Sequence, residues 1–199
     1  MKNISSPIGL DKNKNSMLSC TYMYRIDVLL KQEQKLFHTQ DLALLWGIEN
    51  KNTLYTTIKR YVDKGILIPI HKGFYATIPL KNIDPYRLGI GYLHSYGYLS
   101  TETILIQKGI IFQQSFAITY ISSRSITFSV GDNHYISHSL TERFLYNGAG
   151  ISFQNGIYVA SGERAVADIL YLRPKFHFDN ETQIEWKNVR ALQTFIGYI

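Results

Sequence analysis

Apolar positions recur at helical spacing through most of the first eighty residues, then give way to alternation. Met23, Ile26, Leu29 and Leu30 line one face of a helix predicted over Tyr22 to Gln34. Leu36-Phe37-His38 reads as a short extended segment. Thr39 suits the N-cap of a helix from about Gln40 to Trp46, with Leu42, Leu45 and Trp46 facing inward. Gly47 ends that helix, and Ile48 plugs the core under the turn. A third helix is predicted from Asn50 to Lys64, closed by Gly65 where a left-handed residue is wanted. Ile66–Ile70 and Phe74–Ile78, separated by His71-Lys72-Gly73, carry a hairpin signal. The order helix, strand, helix, turn, helix, hairpin predicts a winged helix-turn-helix over residues 21–80.

Asn82-Ile83-Asp84-Pro85 marks a boundary, with Asp84 capping and Pro85 opening a helix that runs to about Ser95. Ser100 is the expected cap of a short helix through Lys108. From Ser115 to Ala160 the texture becomes β-branched and aromatic. Strands are predicted at Ile118–Tyr120, Ile126–Val130, Tyr135–Ile136 and Ile157–Val159. Gly131-Asp132-Asn133, Gly148 and Asn155-Gly156 supply the breaks. Ser161 then caps Gly162–Leu172, and Pro174 stops that helix. A last amphipathic stretch, Ile184–Ile199, places Trp186, Val189, Leu192, Phe195 and Ile196 at helical spacing. The fold class expected is α+β: a winged helix-turn-helix, then a mixed domain over residues 84–199 with an antiparallel sheet flanked by helices.

Composition changes this picture in three places. Residues 1–20 are rich in Asn, Ser and Lys and lack the apolar middle of a signal peptide, so they read as a polar tail and the chain as cytoplasmic. Cys20 is the single cysteine, which excludes an internal disulfide and a cysteine-built zinc cluster. Charge is uneven. Residues 1–80 hold eleven Lys and Arg against six Asp and Glu, a net +5, whereas residues 81–199 hold ten against nine, a net +1. A basic excess confined to one end is the footprint of a phosphate-facing surface.

The third helix carries the candidate chemistry. At roughly 100° per residue, Leu54, Ile58, Tyr61 and Val62 gather on a core side. The other side shows Asn52, Thr53, Thr56, Lys59, Arg60 and Asp63. In a helix laid into the major groove, Asn52 pairs with adenine, and Thr53 and Thr56 offer a hydroxyl or a methyl to a base. Lys59 and Arg60 lie a turn further on, where phosphates are met, and Tyr55 sits at the rim. Thr39 and Gln40 are expected to point free backbone N–H groups at phosphates, and Lys72 reaches the backbone from the tip of the wing. The bland alternative is an ordinary solvated helix face or a protein-docking winged helix; the local charge favours duplex DNA.

His134 and His138, with Glu142 nearby, invite a metal reading. On a predicted strand, however, they stand too far apart for one ion, so no metal is expected. Arg164 and Asp168 are spaced to pair on a helix, a structural role. No Gly-rich phosphate loop follows a strand, and there is no G-x-S-x-G and no catalytic carboxylate pair. Neither an enzyme nor a cofactor is expected.

Three segments, "GILIPIHKGFYAT", "GYLSTETILIQKGI" and "IYVASGERAVADILYL", resemble the AbiEi-type antitoxins of bacterial type IV toxin–antitoxin (abortive infection) systems, over roughly residues 22–172. Ser161, Glu163, Ala165 and Asp168 match the family's last segment in order. Gly162 stands where that family has Pro, and the middle segment lacks the aromatic residue common after its Ser. The resemblance implies a repressor of its own operon, bound to promoter repeats. It also implies a C-terminal domain that counteracts a co-encoded nucleotidyltransferase-like toxin, with or without touching it. The competing reading is a ligand-sensing winged-helix regulator whose C-terminal domain binds a small molecule. A nucleic-acid-processing enzyme is a third, for which no active site is seen.

Overall fold

The structure, a computed structural model, describes residues 24–112 and 117–199. The polar tail, Cys20, the first residues of the expected first helix and Ser115 lie outside the described residues. Those described form an α+β chain with eight α-helices, a three-stranded antiparallel sheet and a six-stranded mixed sheet. The chain divides between Ile78 and Pro79 into two compact units.

The first unit contains α1 (residues 24–30), β1 (Leu36–His38), α2 (Thr39–Trp46), α3 (Lys51–Asp63), β2 (Ile68–His71) and β3 (Phe74–Ala76). The sheet order is β1-β3-β2, all antiparallel. The first helix ends at residue 30, short of the expected Gln34, because the chain must straighten before Leu36 joins the sheet. Leu29, Phe37, Leu42, Trp46, Leu54, Ile58, Tyr61 and Leu67 form one buried cluster. Trp46 meets Tyr61 edge-on at 5.1 Å, and its indole N–H donates to the Arg25 carbonyl at 3.2 Å, so its polar atom is satisfied inside the core.

Two caps differ from expectation. α2 begins at Thr39 itself, with His38 as its N-cap. The Asp41 carboxylate accepts the His38 N–H at 2.7 Å, which fixes the start one residue early. In the second unit Ser100 is not a cap. It is buried, and its hydroxyl donates to Asp168, so the short helix starts after Thr101.

That second unit holds α4 (Pro85–Leu93), β4 (Gly97–Leu99), α5 (Glu102–Gln107), β5 (Ala117–Ser122), β6 (Ile126–Val130) and β7 (Asn133–Ser139). It continues with α6 (Glu142–Leu145), β8 (Ile151–Gln154), β9 (Ile157–Ala160), α7 (Gly162–Leu172) and α8 (Trp186–Ile196). Asp84 caps α4 by accepting the Tyr86 N–H at 2.7 Å, and Pro85 is its first residue.

The sheet order is β6-β7-β5-β4-β9-β8, and the expectation of an antiparallel sheet is corrected here. β5 runs parallel to β7, and β4 parallel to β9. The cause is strand order. Tight turns reverse the chain between β5 and β6 and again between β6 and β7, so β5 and β7 point the same way. β7 then slots between β5 and β6, which puts two like-directed strands side by side.

Helices cover both faces of this sheet. On β5, neighbouring residues point to opposite faces. The Tyr120 hydroxyl donates to the Tyr86 carbonyl of α4 at 2.8 Å, whereas the Thr119 hydroxyl bonds Thr103 of α5 at 3.0 Å. α7 packs on α5 and carries α8. Gly89 lets α4 approach closely, because a Cβ there would stand 2.5 Å from the Tyr135 ring. Among the described residues no helix is long and apolar enough to cross a membrane.

Candidate nucleic-acid interface

α3 is built by a cap and a split surface. The Asn50 side chain accepts the Thr53 N–H at 3.0 Å, which anchors the first turn. Gly65, at φ +68, turns the chain out of the helix into β2. Leu54, Ile58 and Tyr61 are buried, Val62 is half-buried and packs on the same core, and Asn52, Thr53, Tyr55, Thr56, Lys59, Arg60 and Asp63 are exposed. Thr57 is buried as well, which its residue type did not announce. Its hydroxyl donates to the Thr53 carbonyl at 2.8 Å, leaving the methyl group to pack inward.

The exposed face has directional chemistry. The Thr56 hydroxyl donates to the Asn52 carbonyl at 2.8 Å, so toward solvent it offers its lone pairs and its methyl rather than its proton. Thr53 bonds Asn50 through its own hydroxyl at 3.3 Å. Asn52 and Tyr55 stand clear of the core, Tyr55 with 56% of its surface exposed. Neither Lys59 nor Arg60 forms an ion pair among the described residues. Both cations therefore face water, and Asp63, exposed one turn further on, is not paired with either.

The β2–β3 turn supplies a second basic point. Gly73 sits at φ +84, where a side chain would be strained, and Lys72 beside it is exposed. The Thr39 N–H donates to the Gly73 carbonyl at 2.9 Å, and the Thr39 hydroxyl leans on the same oxygen at 3.4 Å. This corrects one expectation: the Thr39 N–H is not free for a phosphate, because the hairpin turn has taken it. The same bond places Thr39, exposed Gln40 and Lys72 near one another. His38 stacks on Phe74 at 4.4 Å beneath them and stiffens the junction.

The second unit's candidates take other roles. His134 and His138 both lie on β7; the ring Nδ1 of His134 bonds the Ser129 hydroxyl at 2.8 Å. Burial holds the His138 imidazole below its ordinary pKa. Among the described residues no three His, Cys, Asp or Glu side chains gather as a metal site.

Arg164 and Asp168 are both 0% exposed and paired at 2.8 Å. Ser161 caps their helix by accepting the Arg164 N–H at 3.1 Å. The guanidinium also donates to the carbonyls of Asn147 and Ala149, at 2.9 Å each, and to the Tyr98 hydroxyl at 2.8 Å. Asp168 accepts from Ser100 at 2.8 Å and from Tyr198 at 2.6 Å. Burial pushes its carboxyl up, opposed by Arg164, Tyr198 and Ser100; burial, with Asp168 beside them, also raises the Tyr98 and Tyr198 phenols. Spacing identified the pair, and the apolar stripe of Val166, Ile169 and Leu170 beside Asp168 was the signal for burial. Nothing in the sequence pointed to the tyrosines.

No family model matches the chain, and no curated protein matches it. Among solved structures, the RV2827C protein from Mycobacterium tuberculosis is similar with a TM-score of 0.54, at 14% identity, over 87% of this chain and 71% of that one. At that identity the likeness is one of fold.

Proposed function

We propose that residues 21–80 are a winged helix-turn-helix that binds double-stranded DNA, with α3 laid in the major groove and the β2–β3 hairpin as its wing. The carrying observation is the face of α3: Asn52, Thr53, Thr56, Lys59 and Arg60 exposed on a helix whose opposite side is core. A net +5 over residues 1–80 supports it. Asn52 and Thr56 read bases, and Lys59, Arg60 and Lys72 meet phosphates. Tyr55 rests on the sugar–phosphate rim, and Gln40 joins Thr39 at the opposite strand through their side chains.

On this reading the chain is a cytoplasmic, non-enzymatic antitoxin that represses its own operon and counteracts a co-encoded nucleotidyltransferase-like toxin through residues 84–199. The match at Ser161, Glu163, Ala165 and Asp168 supports that half. A salt titration of duplex binding tests the first half. Changing Lys59 or Arg60 to Ala should weaken all sequences alike and flatten the salt slope by about one unit each. Equal affinity and slope for the wild type and the double variant refute the interface. The second half is tested by colony survival when the neighbouring gene is induced: the double variant should still protect, and deletion of residues 84–199 should not. If the isolated N-terminal unit protects as well as the full chain, the antitoxin assignment falls.

A further inference from the structure

The second unit contains a cavity of about 390 Å³ that none of the networks above fills. This lies at the small end of the roughly 300–1,000 Å³ typical of ligand pockets. Ile104, Ile110, Val166 and Val189, all buried, give it an apolar floor. Charges of both signs stand around that floor. Lys108 follows α5, Glu163 lies in the first turn of α7, and Glu185 precedes α8.

Among the described residues these three form no ion pair, with each other or with anything else. Lys108 and Glu185 are exposed at the cavity's rim and Glu163 is half-buried, and the Lys108 stem passes close to α7: its Cγ would stand 3.6 Å from a Cβ on Gly162. Opposite charges converging on one space without neutralising each other are complementary to a ligand that carries both. A phosphate-rich ligand would meet two carboxylates against one ammonium. A bare diamine would leave Lys108 opposed and the floor unused. We propose that this cavity binds a free α-amino acid with an apolar side chain. Its carboxylate pairs with Lys108, its ammonium with Glu163 and Glu185, and its side chain rests on Ile104, Ile110 and Val166.

Calorimetry on the full chain with leucine, isoleucine and phenylalanine is the test, with Trp186 fluorescence in a Trp46→Phe background as a second readout at the start of α8. N-acetyl-leucine lacks the cation, leucinamide lacks the anion, and putrescine has no carboxylate or apolar side chain. At least one free amino acid should bind, and each blocked form should bind about tenfold more weakly or worse. K108M should weaken leucine but leave leucinamide unchanged; E163Q should weaken leucine but leave N-acetyl-leucine unchanged. G162L, at the first position of α7, where an added Cβ would meet Lys108 Cγ at 3.6 Å and Ile110 Cδ1 at 4.0 Å, both ordinary contacts, should push a side chain into the cavity and abolish binding without lowering the unliganded Tm. The proposal is overturned if none of the three amino acids binds at millimolar concentration, or if a blocked form or putrescine binds as tightly as leucine. It is equally overturned if G162L binds like the wild type. The site stands or falls independently of DNA binding.

Discussion

Replacing Asp168 with Asn isolates the value of a countercharge, because the two side chains have nearly the same shape. In the variant Arg164 keeps the carbonyls of Asn147 and Ala149 and the Tyr98 hydroxyl, but its Nε–H loses the carboxylate at 2.8 Å. Ser100 and Tyr198 lose an anionic acceptor at 2.8 and 2.6 Å. The guanidinium is then a charge in a space with 0% exposure, and it cannot shed its proton. Breaking a buried pair from one side costs about 3–5 kcal/mol. Ser100→Ala, which removes one donor and keeps the pair, should cost only about 1 kcal/mol. The chain has two tryptophans, Trp46 in the first unit and Trp186 in the second. Urea unfolding read at Trp186 in a Trp46→Phe background therefore reports the second unit by itself. The midpoint should fall with the slope unchanged. If Asp168→Asn costs no more than Ser100→Ala, the countercharge argument is wrong.

Two further outcomes follow from geometry already given. Asn50→Ala removes the acceptor for the Thr53 N–H and should destabilise the first unit by about 0.5–2 kcal/mol, seen as faster amide exchange at Thr53. The Tyr135 phenol is pushed up to about 12 by burial, from about 10 in an unfolded chain. The fold thus favours the neutral form. Its contribution is complete below pH 10 and lost as pH rises toward about 12, so phenolate absorbance and unfolding should advance together across that window.

The division of α3 into a core side and a polar side was legible because Leu54, Ile58 and Tyr61 repeat at helical spacing, and the caps Asp84 and Ser161 because their residue types have few better places. Thr57 was not legible: whether a threonine shows water its hydroxyl or its methyl depends on whether the preceding turn accepts its proton. β4 escaped notice because Gly97-Tyr98-Leu99 is three residues long and buried throughout, so it shows no alternation. The parallel neighbours β5 and β7 have the same residue pattern that antiparallel ones would have; only their order across the sheet distinguishes the two. The Thr39 N–H could not be assigned at all from sequence, since its partner Gly73 returns to it from 34 residues away. The candidate interface was therefore legible as a set of exposed side chains, and illegible wherever a backbone group had a distant partner.

The six-stranded sheet ends in β6 and β8, and neither Ile126–Val130 nor Ile151–Gln154 contains a charged residue or a proline. Such residues are what commonly keeps an outer strand from pairing with another molecule. The symmetry of any encounter decides its size. β8 meeting β8, or β6 meeting β6, is related by a two-fold axis and closes as a pair. β6 meeting β8 is head-to-tail; it leaves one unsatisfied strand at each end and extends as an open ribbon. Phe153, 65% exposed on β8, adds an apolar contact wherever β8 takes part. Whether concentrated protein stays in solution thus depends less on how strongly the edges attract than on which edge finds which.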